Sequence, residues 1–333
     1  MTNFHNIVVL HPGAIGDVVL ASPVATTLRS NYPDARITYW THSALFDLLG
    51  LCSAIDNCVS YHKGDGLLKL RQILGSLKAD LLVDLAGSSR SRWLTLFSGA
   101  QVVRYQKQPA GCSPVQHAVD NFLSTLEPLA LTPLAVRFPT LTLPDEELSA
   151  AQTKLDASVA AALIPVGLVP GVGKLRPNRA WIADGWIYLA RILIRSGRYV
   201  PVLIGGEDER SLCETICEAV GNGCVNMAGV LSLVQTAAML RLCRTVVSGD
   251  TGPAHIAVAV GTAVVGLYGP TYPERSGPYG YADLVVDQSD NCRCRETKRC
   301  SLIDAAGPGD CMRRIMLEEV FSRLRHALHD EQL

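Results

Sequence analysis

Short apolar runs alternate with helix-like segments along the whole chain, and this alternation limits the folds open to it. In the first half the strand-like runs occupy residues 7–10, 37–40, 58–61, 81–84 and 102–105. The second half restarts the alternation at "IPVGLVPG" and continues it to "AVVGLYGP". Such runs, separated by helices, predict parallel sheets built from βα units. We therefore expect an α/β fold with two doubly wound, Rossmann-like domains facing a central cleft, where the carboxyl ends of the strands carry ligand contacts.

The join between the two halves lies in a segment that is proline-rich at its start and polar in its middle. We place an N-terminal domain at residues 1–155, a second domain at 156–311 and a terminal amphipathic helix within 312–333. A chain of 333 residues, 48% of them apolar, is long enough to bury two cores.

The charge balance gives no sign of a nucleic-acid partner. Lys and Arg number 30 against 31 Asp and Glu, so any anion has to be bound locally. The start "MTNFHNIVVL" lacks the regions of a signal peptide, which favours a cytoplasmic protein. No apolar run approaches the ~18 residues that a membrane span needs.

The segment "SGDTGPAHIAVAVGT" combines a strand end, a turn and a helix start. Unpaired amides at a helix N-terminus favour an anion, and Gly252 lets the backbone approach a phosphate closely while Thr251 adds a hydroxyl. The turn is therefore a candidate diphosphate site. The alternative is that Asp250 or Thr251 only caps the helix.

Two further loops follow strand ends in the second half. The loop "VPGVGKLRPNRAW" carries Lys174, Arg176 and Arg179, which are candidates to neutralise a diphosphate or are solvated surface charges. In "VLIGGEDER", Glu207 is placed to accept hydrogen bonds from ribose hydroxyls, as acids after the second strand do in nucleotide-binding folds. Its alternative role is to complement the dipole of the next helix.

The first strand is followed by "HPGAIGDVVLASP", which is neither a GxGxxG fingerprint nor a P-loop. A phosphate-binding role for this turn is therefore poorly supported. Asp17 stands in the first helical turn, where an acid commonly complements the helix dipole.

Together, "HPGAIGDVVLASP", "PGVGKLRPNRAW", "VLIGGEDE" and "SGDTGPAHIAVAVGTAVVGLYGPTYPERSGPYG" resemble glycosyltransferase family 9, the ADP-heptose:lipopolysaccharide heptosyltransferases, in order and along nearly the whole chain. The resemblance implies a GT-B fold with an N-terminal acceptor domain, a C-terminal nucleotide-sugar domain and a final helix that packs back on the first domain. It also implies inverting transfer of heptose from ADP-heptose to a Kdo or heptose residue of the lipopolysaccharide inner core.

The same resemblance implies roles for individual residues. Asp17 matches the catalytic aspartate of the family's "GD" motif, and Gly13 and Gly16 would leave room for the acceptor. The donor residues it implies are Lys174, Arg179, Glu207, Asp250, Thr251, Gly252 and His255. A buried structural role is the alternative for His255. Where the family commonly has K-x-W-P, this chain has Arg179-Ala180-Trp181-Ile182, so which of Lys174, Arg176 and Arg179 meets the diphosphate is left open.

Acceptor contacts are expected in "DLAGSSRSRW", where Ser89, Arg90 and Arg92 are candidates for an acceptor phosphate or Kdo carboxylate. The chain has no Asp-x-Asp motif, so a metal-independent reaction without a cofactor is expected. The expected partners are a nucleotide sugar and a lipopolysaccharide core or lipid-linked glycan, with peripheral contact to the cytoplasmic face of the inner membrane left open. The alternatives are another donor or acceptor, a nucleotide-sugar 2-epimerase, and a non-catalytic binder of nucleotide sugars.

Eleven cysteines fall into two groups. Seven lie scattered in apolar or helical contexts, where reduced thiols act as small core residues: Cys52, Cys58, Cys112, Cys213, Cys217, Cys224 and Cys243. The other four, Cys292, Cys294, Cys300 and Cys311, fall within twenty residues. Their C-x-C start is tighter than the usual zinc spacing, so free thiols are favoured over a structural metal or a disulfide.

Overall fold

The computed structural model describes residues 3–96, 98–108, 114–133, 137–159, 163–295, 297, 299–303, 307–331 and 333. The chain forms two compact units, Met1–Thr142 (the first unit) and Leu143–Leu333 (the second unit). Among the described helices, none has both the length and the hydrophobicity that a membrane crossing requires.

The first unit contains a parallel sheet in the order β3-β2-β1-β4-β5. Its strands are β1 Asn6–Leu10, β2 Arg36–Thr41, β3 Asn57–Ser60, β4 Leu81–Asp84 and β5 Gln101–Arg104. Its described helices are α1 Ile15–Leu20, α2 Ser22–Asn31, α3 Phe46–Leu49, α4 Leu67–Leu77, α5 Ser89–Thr95 and α6 Ala118–Leu123. Strand β1 is central and apolar on both faces, as expected for a parallel strand covered on both sides.

The second unit contains a parallel sheet in the order β11-β10-β9-β6-β7-β8. Its strands are β6 Ile164–Val169, β7 Tyr199–Leu203, β8 Val225–Asn226, β9 Thr245–Gly249, β10 Ala263–Tyr268 and β11 Val285–Asp287. Its described helices are α7 Asp145–Asp156, α8 Ala183–Arg195, α9 Arg210–Val220, α10 Leu233–Leu242, α11 Gly252–Ala259, α12 Pro273–Ser276, α13 Asp310–Arg313 and α14 Leu317–Leu328.

Each sheet has a point where the strand order reverses, between β1 and β4 in the first unit and between β6 and β9 in the second. Loops that leave the carboxyl ends of such neighbouring strands diverge to opposite sides and leave a crevice for ligands. The motif loops after β1, β4, β6 and β9 therefore flank the two reversal points.

The division between the units differs from the expected boundary. The division between the units precedes α7, which packs against α10 of the second unit, and does not follow residue 155. The terminal helix α14 buries Val320, Leu324 and Leu328 in the core of the second unit.

Candidate active site

Asp17 lies in the first turn of α1, beside the reversal point of the first sheet. Its side chain is exposed and makes no hydrogen bond or ion pair with any residue that the structure describes. The carboxylate is thus available to a ligand. Gly16 precedes it in the same turn.

His11, which sequence reasoning did not single out, lies close to Asp17, and both residues pack around Gly13. A Cβ atom at Gly13 would come within 2.8 Å of His11 Nε2 and 3.3 Å of Asp17 Cβ, so the glycine is needed for this packing. His11 Nδ1 is 3.1 Å from the Tyr39 hydroxyl. Burial lowers the pKa of His11 to about 4, against the opposing effect of the Asp17 charge, so the ring is neutral at pH 7.

Asp84 lies at the carboxyl end of β4, the strand that neighbours β1 at this reversal point. Its fully buried carboxylate accepts hydrogen bonds from the amides of Ala86 and Gly87 at 3.1 and 3.3 Å and lies 3.5 Å from Arg104 Nε. Burial raises the pKa of Asp84, although these neighbours oppose the shift. Asp84 therefore shapes the loop that leads into α5.

Three of the predicted acceptor residues, Ser89, Arg90 and Arg92, lie in α5, which Ser88 caps through a reciprocal bond with Ser91. Ser89 and Arg92 are exposed, and the Arg92 guanidinium has no hydrogen-bond or ion-pair partner in the described part of the chain. Arg90 is already engaged, because its guanidinium donates to the backbone carbonyls of Lys63 and Asp65. Arg92 is consequently the freer of the two cations for an anionic acceptor.

In the second unit, Asp250 lies at the end of β9 inside a ring of donors. Arg179 Nη1 is 2.8 Å from Asp250 Oδ2, His255 Nε2 is 3.6 Å from Oδ1, and the Ser276 hydroxyl is 3.4 Å from Oδ2. Burial alone would raise the pKa of Asp250, but the His255 hydrogen bond and the Arg179 charge hold it below its usual value. The carboxylate is only 8% exposed, so it orients Arg179 and is not open to a ligand.

His255 agrees with the alternative of a structural histidine, since it is 4% exposed within α11. Its Nδ1 is buried and has no hydrogen-bond partner among the described residues. Thr251 and Gly252 are half-buried at the start of the same helix. Thr251 places its hydroxyl 2.9 Å from the Ser248 hydroxyl and does not cap the helix with its side chain, so the helical amides stay available to an anion.

The remaining cations lie on the loop after β6. Lys174 is exposed and its Nζ is 2.5 Å from Asp208 Oδ1, and this hydrogen bond and charge raise the pKa of Lys174. Arg176 is half-buried, and within the described structure its Nη1 is a buried atom without a hydrogen-bond partner. Asp208 was missed from the sequence, where nothing distinguished it from the neighbouring acids of "GGEDER".

Glu207 follows β7, the second strand of its unit, as predicted. Its carboxylate is exposed and pairs with Arg210 at 3.0 Å. The side chain of Glu209, two residues on, fills the space beside Gly171, where a Cβ atom would overlap it. Gly171 thus allows the loop after β6 to pack against the loop after β7.

Among the four clustered cysteines, the Cys294 and Cys300 sulfurs are 3.6 Å apart, and burial together with the neighbouring Cys292 raises the pKa of Cys311 to about 12. All four are free thiols. In the described ranges, no group of three or more His, Cys, Asp or Glu side chains is arranged to hold a metal ion. Of the seven scattered cysteines, six are free and Cys112 lies outside the described residues.

Comparison with known proteins identifies the family. The model of glycosyltransferase family 9 (heptosyltransferase) matches residues 67–305. Lipooligosaccharide heptosyltransferase 2 of Haemophilus ducreyi is 25% identical over 308 residues, which cover 84% of this chain and 88% of that protein.

Two solved structures share the fold. The glycosyl transferase family 9 protein from Veillonella parvula has a TM-score of 0.83 at 22% identity, covering 99% of this chain and 98% of that one. The ADP-heptose lipopolysaccharide heptosyltransferase II of Escherichia coli has a TM-score of 0.78 at 21% identity, covering 98% and 100%. The predicted α/β, GT-B fold is confirmed. Since the family model spans more than half of the sequence, the chain belongs to glycosyltransferase family 9.

Proposed function

We propose that this protein is an inverting heptosyltransferase that moves heptose from ADP-heptose to a Kdo or heptose residue of the lipopolysaccharide inner core, in the cytoplasm. The names of the E. coli and H. ducreyi relatives support this donor and this class of acceptor. The observation that carries the proposal is the exposed Asp17 carboxylate, which no described residue engages at the reversal point of the first sheet.

Asp17 is the base of the proposed reaction. The acceptor hydroxyl oxygen attacks the anomeric carbon from the side opposite the diphosphate, and its proton passes to the Asp17 carboxylate. A new carbon–oxygen bond forms, the bond to the diphosphate breaks, and ADP leaves with the electron pair. Ser89 and Arg92 bind an anionic group of the acceptor.

The leaving diphosphate is stabilised by cationic side chains and helix amides. Arg179, held by Asp250, stands beside the amides of Thr251 and Gly252, while Glu207 binds the ribose. Arg176 is the preferred second cation, because its buried Nη1 lacks a described partner whereas Lys174 is already paired with Asp208. Transfer therefore needs no bound metal, and EDTA should leave the rate unchanged.

Substitution of Asp17 tests the base. Asp17→Asn should bind ADP normally and lose roughly 10²–10⁴ in turnover, since the amide cannot accept the proton. Asp34→Asn, at another exposed aspartate of the first unit, is the matched control and should transfer at the parent rate. Undiminished transfer by Asp17→Asn would remove Asp17 from the mechanism.

The donor and acceptor are tested by assaying transfer from ADP-heptose to a panel of truncated lipopolysaccharide cores. Stabilisation by ADP over UDP and product on one core are expected. Interconversion of a UDP-sugar without any acceptor would instead identify a 2-epimerase, and nucleotide binding without either reaction would identify a binding protein.

A further inference from the structure

The turn between α9 and β8 of the second unit brings two cysteines together. Cys217 lies in the last turn of α9, and Cys224 directly precedes β8. Between them, Gly221 and Gly223 have φ values of 84° and 94°, in the left-handed region that residues with a side chain rarely adopt. The Gly221 amide donates to the Cys217 carbonyl at 2.8 Å and closes the helix. The chain therefore reverses within a few residues and returns Cys224 to the side of Cys217.

The side chains of Cys217 and Cys224 are in contact. Their sulfurs are hydrogen-bonded at 2.9 Å, and both residues are free thiols. A disulfide has a sulfur–sulfur bond of about 2 Å, so a small rotation of the two side chains is enough to bring the sulfurs to bonding distance. Both residues are half-buried and pack at the edge of the core of the second unit. A small oxidant can therefore reach them without unfolding of the unit.

The thiols in this part of α9 differ in acidity. The hydrogen bond with Cys224 lowers the pKa of Cys217 against the opposing effect of burial, whereas the same bond and burial raise the pKa of Cys224. Cys213, one helical turn earlier, is fully buried, and burial raises its pKa to about 12. Since the thiolate is the reactive form, Cys217 is the nucleophile of the group and Cys213 is inert.

We propose that Cys217 and Cys224 form a dithiol site that a hydroperoxide converts to a disulfide. The Cys217 thiolate attacks one peroxide oxygen, the oxygen–oxygen bond breaks, and the departing hydroxide takes up the proton that Cys217 has lost, which leaves a sulfenic acid and water. The Cys224 sulfur then attacks the Cys217 sulfur, the sulfur–oxygen bond breaks, and hydroxide leaves as water with the Cys224 proton. Two thiols are oxidised to one disulfide, and one peroxide is reduced to two waters.

This dithiol site is separate from the candidate active site. Glu207 and Arg210, which pair at 3.0 Å, lie at the start of α9, whereas Cys217 lies in its last turn. Oxidation of the pair requires neither the donor nor the acceptor. Its outcome is therefore independent of whether the protein transfers heptose.

Peptide mapping of the peroxide-treated, full-length protein tests the site. The protein is fully reduced, freed of reductant, treated with hydrogen peroxide, and alkylated under denaturing conditions. Trypsin with a glutamate-specific protease places the three cysteines of this region on separate peptides, because Glu214 and Glu218 lie between them. We expect a disulfide-linked pair of the Cys217 and Cys224 peptides that dithiothreitol separates. Cys217 should be consumed about tenfold or more faster than Cys213, because only Cys217 has a lowered pKa.

Matched variants separate the two roles. Cys224→Ser leaves Cys217 without a resolving thiol, so peroxide should yield a sulfenic acid that dimedone traps, and no disulfide. Cys213→Ala, at the neighbouring thiol of the same helix, should form the disulfide at the parent rate. Circular dichroism checks that each variant is folded.

Three results would overturn the proposal. The first is that Cys217 and Cys224 stay reduced under peroxide that links Cys294 to Cys300. The second is a disulfide that joins Cys217 to Cys213. The third is conversion of Cys217 in the parent to a sulfinic acid without a disulfide, since Cys224 would then not act as the resolving thiol.

Discussion

Asp250 shows how a motif residue acquires its role from its neighbours. The turn it occupies suggested a direct contact with the donor, whereas the structure encloses its carboxylate with Arg179, His255 and Ser276. A carboxylate in this position fixes the direction of the Arg179 guanidinium. We therefore propose that Asp250 positions Arg179 and that Arg179 makes the contact with phosphate.

Arg179→Gln tests this pair. The change leaves Asp250 buried without its cation, so we expect a loss of about 3–5 kcal/mol in the free energy of unfolding at pH 8. The pKa of Asp250 is lowered in the parent, so the stability contributed by its ionised form is present above the ordinary aspartate pKa and is lost as the pH falls. The destabilisation should therefore shrink at pH 4, as measured by urea unfolding.

A double-variant cycle provides the control. Asp250→Asn added to Arg179→Gln removes the unpaired charge, so the double variant should be more stable at pH 8 than Arg179→Gln alone. If the losses of unfolding free energy in the two single variants simply add in the double variant, the ion pair does not contribute as described. Titration with ADP separates the effect on stability from the effect on phosphate binding. Arg179→Gln and the double variant should both bind ADP more weakly than the parent.

At the scale of elements, the local boundaries were the hardest to predict. The pattern of residues 18–30 predicts a single helix, but α1 ends at Leu20 and α2 starts at Ser22. Pro23 lacks an amide hydrogen, and the Ser22 hydroxyl donates to the Val19 carbonyl, so the helical ladder is interrupted here. Because the apolar periodicity continues across this break, the sequence pattern does not reveal that there are two helices.

Amphipathic helices near a boundary pose a related problem, because periodicity reveals an apolar face but not its partner. Sequence position places most of α7 in the first domain, and the family resemblance implies that α14 packs on that domain. In the structure, α7 packs against α10, and α14 packs against β10 and α8. Both helices belong to the second unit.

Leu324→Ala measures what α14 contributes. Leu324 is fully buried in the core of the second unit, so truncation should cost about 2–5 kcal/mol of unfolding free energy through lost burial and a cavity. Arg323→Ala, at an exposed neighbour on the same helix, should change stability by less than about 0.5 kcal/mol. Equal small losses in urea unfolding would show that α14 is not a core element.

At the scale of the whole molecule, the alternation of strands and helices was sufficient to predict two parallel sheets. It was also sufficient to place the motif loops at strand ends, since Asp17, Glu207 and Asp250 each follow a strand. The contacts between loops were not predictable, because they join distant segments. Arg179 and Asp250 are 71 residues apart, and His11 meets Tyr39 from a neighbouring strand.

The division into two units leads to a prediction about ligand-dependent stability. The candidate phosphate and ribose residues all lie in the second unit, so ADP should stabilise that unit directly. At about 100 times its dissociation constant, ADP should add ~2.7 kcal/mol to the unfolding free energy of the second unit. Hydrogen exchange at increasing urea, read separately in peptides from β9 and β1, measures both units in the intact chain. A shift in β9 peptides alone is expected, whereas equal shifts would show that the two units unfold together, and a shift confined to β1 would place the nucleotide in the first unit.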